Sequence, residues 1–136
     1  MNRPILIAYQ LVTGLSDSST GALFLATPEL TLQLLHLRAA PDALVYVSFI
    51  GAFVLSVGFA CLYGTLLAYR ARDKTKLATI WLLTGITRAS VAIFVIEQVL
   101  VSSLHAGWLL LALFDGICVI IQAVGLREDW LSYAVR

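Results

Sequence analysis

Four stretches of this chain, about Pro4–Ala26, Asp42–Tyr69, Leu77–Ser102 and His105–Leu126, are each longer than twenty residues and nearly free of formal charge. The hydrocarbon core of a bilayer is about 30 Å thick and an α-helix rises about 1.5 Å per residue, so roughly 20 apolar residues cross it. Every one of the four is long enough. The sequence therefore reads as an all-α polytopic membrane protein, a single domain over residues 1–136 with four transmembrane helices. The overall balance agrees, since 60% of the residues are hydrophobic and 12% are charged. A small water-soluble domain has too little interior to bury that much apolar surface, and lipid is the expected surrounding.

Arg3 ahead of the apolar run Ile5 to Leu11 also has the look of a signal peptide, but the segment is read here as the retained first span. After it, Thr27 is placed to cap a short helix opened by Pro28 and Glu29. Ten residues, Pro28 to Leu37, are too few to cross, so an amphipathic helix lying at the interface is expected there, ended by Arg38 and a turn at Pro41. Basic residues set the orientation, because short cytoplasmic loops collect Lys and Arg. In a four-span chain Arg3, Arg70, Arg72, Lys74, Lys76, Arg127 and Arg136 fall on one side and Arg38 on the other. Both termini are thus expected in the cytoplasm. Trp108 near the outer face, and Trp81 and Trp130 near the inner one, suit aromatic belts or helix packing equally.

A net charge of +1 gives no field that would recruit nucleic acid. Cys61 and Cys118 lie inside apolar segments and read as small hydrophobic filler, and no Cys/His spacing indicates a metal or redox centre. No cofactor is called for. Helices in lipid gain nothing hydrophobic by meeting, so small residues must let them approach. The second span carries Ser48, Ala52, Ser56, Ala60, Gly64 and Ala68 at every fourth position, and the first carries Gly14, Ser18, Ala22 and Ala26. These ladders point to contact between spans one and two, or to a homodimer seam.

Charges at the middle of a membrane cost roughly 2.5 to 3.5 kcal/mol on insertion scales and persist where they are paired or functional. Asp17, Arg88 and Asp115 stand near the middle of spans one, three and four. Each lies on a polar stripe: Gln10, Thr13, Asp17 and Thr20 by helical steps, Thr84 one turn before Arg88, and Trp108, Asp115 and Gln122 at intervals of seven. The central expectation is a cluster in which the Arg88 guanidinium bridges two carboxylates, a geometry that suits Arg better than Lys. Two acids around one base leave one formal negative charge, which a proton, a cation or a polar ligand would balance. An Arg88–Asp115 pair alone would serve equally well as glue that fixes helix register, and Asp17 shifts that balance. Ser16 to Thr20 also reads as a polar break in span one, of the kind from which transporters build binding sites, or as a serine-rich face bonding to its own backbone. Glu97, Gln98 and His105 suit either a pH-sensitive gate or wet interfacial residues, and His36 reads in the same way.

Four segments, GALFLATPELTLQLLHL (Gly21–Leu37), FIGAFVLSVG (Phe49–Gly58), TRASVAIF (Thr87–Phe94) and DGICVIIQAVGL (Asp115–Leu126), make the chain resemble small DoxX-like bacterial membrane proteins in hydropathy and small-residue texture. The resemblance implies a four-helix bundle in a bacterial-type inner (plasma) membrane, and for some members a place as a subunit of quinone-linked oxidoreductases. Three function classes are in view. One is a binding or accessory subunit that takes a lipophilic or polar small molecule at Asp17, Arg88 and Asp115, lined by Tyr9, Gln10, Thr13, Thr20, Thr84, Trp108 and Gln122, alone or in a larger membrane complex. Another is an enzyme with those three residues as its catalytic set: one acid protonates an epoxide oxygen while the other activates water, as in soluble epoxide hydrolases of the limonene type. The last is a proton-coupled transporter or relay, which with four spans would need to dimerise.

Overall fold

The computed structural model describes residues 2–70 and 73–133, apart from the side chains of Pro41 and Tyr133. Two of the bases used for orientation, Arg72 and Arg136, lie outside the described residues. Five α-helices follow one another: α1 (Arg3–Ala26), α2 (Pro28–Leu34), α3 (Leu44–Tyr69), α4 (Lys74–Leu100) and α5 (Leu109–Arg127). Short 3₁₀ turns at Pro41–Ala43, Ala106–Trp108 and Trp130–Tyr133 lead into α3, into α5 and away from α5. No strand occurs among the described residues.

Three of these helical segments, Leu44–Tyr69, Lys74–Leu100 and Ala106–Arg127, are long and apolar enough to cross a membrane. Helix α1 is 24 residues long but less apolar, because Gln10, Thr13 and Asp17 occupy its buried face. Its opposite face is greasy and exposed, with Val12 64% and Leu15 54% accessible. The polar run Ser16 to Thr20 does not break it. Ser19 donates to the carbonyls of Leu15 (2.7 Å) and Ser16 (3.0 Å), so the hydroxyl is satisfied within a continuous helix.

The helix ends differ from the sequence reading in instructive ways. Thr27 forms no side-chain cap on α2, and its hydroxyl donates back to the Leu23 carbonyl at 3.3 Å. Helix α2 stops at Leu34, short of Leu37, because His36 takes a left-handed backbone (φ 54°) and Leu37 N–H reaches the Leu32 carbonyl at 2.8 Å. This is a Schellman stop, with Leu32 and Leu37 buried in the same apolar cluster. Ser102 (φ 60°) ends α4 similarly, through Ser103 N–H to the Gln98 carbonyl at 2.8 Å. That puts the end of α4 at Leu100, two residues before the expected Ser102. At its other end α4 begins at Lys74, a turn earlier than Leu77, because Asp73 accepts the Lys76 N–H at 3.0 Å.

The helices pair antiparallel. α1 packs on α3 and α4 on α5, with α3 also touching α4. Along the first seam the backbones meet. A Cβ on Gly21 would sit 2.7 Å from the Gly51 carbonyl oxygen, one on Gly58 would sit 2.5 Å from Ser18 N, and one on Gly14 would sit 3.0 Å from Leu62 N. Contact between spans one and two is therefore seen, through Gly64 and Ala68 at the far end of the expected α3 ladder but through Gly51 and Gly58 instead of its nearer members. Gly51 and Gly58 are buried in the seam, whereas Ala52 and Ser56 are exposed. Positions four apart advance by about 40° beyond a full turn at each step, so a ladder of fours winds around the helix, while a step of seven nearly returns to the same face.

Two apolar clusters close the bundle. Phe24, Leu32, Leu37, Val47, Ala92, Val95, Trp108 and Ala112 fill one end. Leu6, Ala68, Leu77, Trp81 and Leu131 fill the other. Trp108 and Trp81 are thus packing residues, 6% and 0% exposed, rather than members of an interfacial belt.

Candidate functional site

Between the two apolar clusters lies a polar layer. Asp17 enters it from α1, Arg88 from α4 and Asp115 from α5, and the three meet. One terminal nitrogen of Arg88 is in direct ion-pair contact with Asp17 Oδ2, and the other reaches Asp115 Oδ1 at 2.5 Å. The side chains of Arg88, Asp17 and Asp115 are 4%, 8% and 17% exposed, so the cluster is buried with its Asp115 edge the most open. The guanidinium carbon stands 5.5 Å from the centre of the Phe114 ring, a cation–π contact that covers one face of the charge. Cys61 of α3 lies against Thr13 and Arg88. All four long helices thus contribute to one layer.

The local sequence accounts for this placement. Asp17 shares the buried face of α1 with Leu6, Gln10, Thr13, Gly14 and Gly21, the face whose glycines draw α3 close. Arg88 shares its face of α4 with Trp81, Thr84, Ala92 and Val95. Each carboxylate meets Arg88 through one oxygen, which leaves the guanidinium fork shared between two helices instead of spent bidentately on one.

The remaining expected site residues divide into two groups. Thr84 and Gln122 meet across α4 and α5, the Gln122 amide donating to the Thr84 hydroxyl at 2.8 Å, and that hydroxyl donating to the Ile80 carbonyl at 2.8 Å. Tyr9 stacks edge-on with Trp81 at 5.6 Å, and its hydroxyl reaches the Cys118 carbonyl at 3.4 Å. Thr13 donates to the Tyr9 carbonyl at 2.9 Å, within its own helix. These form a second polar tier, on the Leu6–Trp81 side of the charges. Gln10 joins that tier fully buried beside Gly64, with both its amide atoms unpartnered. Gln122 Oε1, Ser18 Oγ and Arg88 Nε are buried and unpartnered as well. Two residues stand apart. Thr20 is half-buried beyond Asp17, and Trp108 belongs to the apolar cluster seven residues before Asp115.

Sequence reasoning passed over Cys61 and Phe114 as site neighbours. Cys61 was legible in principle, since it continues the seven-residue and three-residue steps Gly51, Gly58, Cys61, Gly64 along the buried face of α3. The gate imagined at Glu97 and His105 does not assemble. His105 Nδ1 instead accepts the Gly107 N–H at 3.1 Å and starts the turn into α5, while Glu97 is exposed.

Comparison of the chain with protein-family models, with curated proteins and with solved structures finds no match.

Proposed function

We propose that the protein is a four-span membrane protein that takes a lipophilic molecule bearing a polar group into the layer around Asp17, Arg88 and Asp115. The observation that carries this reading is the shared guanidinium: two carboxylates from α1 and α5 on one Arg88, sealed by apolar clusters above and below. A closed top and bottom favour entry from the side, through lipid, and the most accessible member of the trio, Asp115, lies toward that side with Phe114. Unpartnered Gln10, Gln122 and Arg88 nitrogens and oxygens supply hydrogen bonds for a ligand's polar end.

The fourth span is α1, whose exposed face is apolar and whose polar face is turned inward. Orientation follows from charge. Arg3, Arg70, Lys74, Lys76 and Arg127 gather at one end of the bundle and Arg38 at the other, which supports a cytoplasmic N-terminus and C-terminus. Together with the DoxX-like texture, this favours a bacterial-type inner membrane and an accessory role beside a larger complex or as a dimer.

The test is chemical. Protein purified in mild detergent is expected to carry a lipophilic molecule that Asp17→Asn loses while still folding; extraction and mass spectrometry of wild type and variant decide it. Identical extracts from the two would sink the reading.

The single-oxygen contacts favour a second reading, an enzyme acting on an epoxide. Each carboxyl keeps an oxygen off the guanidinium, so one, protonated, can give its proton to the epoxide oxygen as the C–O bond breaks. The other takes a proton from the attacking water, and a vicinal diol forms. Diol production from a lipophilic epoxide by wild-type membranes, absent with Asp115→Asn, is the expected result.

A further inference from the structure

A second site lies at the other extreme of polarity, where α3 ends and α4 begins. A cavity of about 500 Å³ opens there, lined by Tyr63, Leu66, Arg70, Asp73, Lys74 and Lys76, with Leu67 behind them. Its volume falls within the range of small-ligand sites, about 300 to 1,000 Å³. Three cations face one carboxylate. That carboxylate is already engaged, since Asp73 accepts the Lys76 N–H at 3.0 Å and pairs with the Lys76 ammonium at 3.3 Å. Lys74 leans away to Asp129 at 2.6 Å. Arg70 makes no ion pair among the described residues, and it is exposed.

The opposite wall is apolar. Tyr63 and Leu66 are 49% and 40% exposed on α3, and Phe59, one turn farther into the bundle, is 59% exposed. A ligand here meets positive charge at the helix ends and grease along the helix below them. An inorganic anion uses the first and wastes the second. A phospholipid uses both, with its phosphate at the interface and its acyl chain beside α3.

We propose that this cavity binds the phosphodiester headgroup of an anionic phospholipid. The site depends on membrane embedding alone and is independent of what occupies the Asp17–Arg88–Asp115 layer. Basic residues near a membrane surface attract anionic lipid by about fivefold in affinity each.

The full chain in detergent micelles doped with phosphatidylglycerol or with phosphatidylcholine of the same acyl chains is compared by native mass spectrometry. Phosphatidylglycerol should be retained preferentially, the preference falling about fivefold in Arg70→Gln and disappearing in Arg70→Gln/Lys76→Gln. Arg38→Gln, at the opposite end, should leave it unchanged. Because Arg70 is exposed, its variant should unfold at the wild-type temperature in lipid-free detergent. Equal retention of the two lipids overturns the proposal, as does a preference that survives the double substitution. Inorganic phosphate that raises the unfolding temperature as much as phosphatidylglycerol does would also overturn it, making the cavity a free-phosphate site.

Discussion

Along the α1–α3 seam the two backbones touch, whereas α4 and α5 meet largely through side chains. In the first pair a Cβ on Gly21 or Gly58 would run into the neighbouring main chain, at 2.7 Å from the Gly51 oxygen and 2.5 Å from Ser18 N. In the second, a Cβ on Gly85 would stand 3.2 Å from the Gln122 amide oxygen, and one on Gly116 would meet nothing within 4 Å. Lipid offers helices no hydrophobic reward for associating, so close van der Waals packing and interhelical hydrogen bonds are the two means left. This molecule uses one for each pair. The close seam brings main chains together, and the α4–α5 pair is spaced by side chains that include the buried polar layer; Arg88 joins the two.

If that division holds, substitutions should sort accordingly. Arg88→Leu should cost most, about 3 to 5 kcal/mol, because it leaves two buried carboxylates without a partner and cuts the link between pairs; unfolding in detergent measures it. Gly21→Leu should follow at about 3 kcal/mol, since the obstacle is main chain and cannot rotate aside, and size-exclusion of the solubilised protein should show the loss of a single species. Gln122→Leu, by contrast, should lose only about 0.6 to 1.7 kcal/mol, the range for one hydrogen bond between membrane helices. A loss as large as that of Gly21→Leu would show that the second pair depends on its polar contact as heavily as the first does on glycine. Gly116→Ala should be tolerated or raise stability by up to about 1 kcal/mol, as expected for an interior helix glycine with open space beside it.

The smallest effect concerns pH at the start of α4. The backbone N–H of Lys76 holds the Asp73 carboxyl below its ordinary value. Stability from this cap is therefore complete above the usual carboxylate range and is lost as pH falls through the lowered folded value. Asp73→Ala should flatten that acid limb in thermal unfolding followed against pH, with little change at pH 7 beyond the lost cap.

Much of this arrangement was legible in the chain. Charges in the middle of apolar segments announce themselves, and steps of three, four and seven gave the inward faces of Asp17, Arg88 and Asp115, with Gln122 and Thr84 alongside. The face of α3 was less readable, because small residues surround that helix on several sides and the buried line runs through Gly51, Gly58, Cys61 and Gly64 by steps of seven and three, not by fours. Helix stops at His36 and Ser102 gave no signal, since the left-handed residue at each is neither glycine nor asparagine, and the stop at His36 is accompanied by the burial of Leu32 and Leu37. The Thr27 cap failed for a similar local reason: its hydroxyl had a nearer carbonyl to satisfy.

The partners in the central ion pair are 71 residues apart in the chain. At roughly 5 to 20 residues per second on the ribosome, Asp17 is made about 4 to 14 s before Arg88 exists. Through that interval the nascent first helix carries a carboxylate with no counter-charge, and the glycine contacts with α3 are the earliest shelter that synthesis provides. Synthesis order thus places the α1–α3 pair, with its buried carboxylate, ahead of α4 and the arginine that neutralises it.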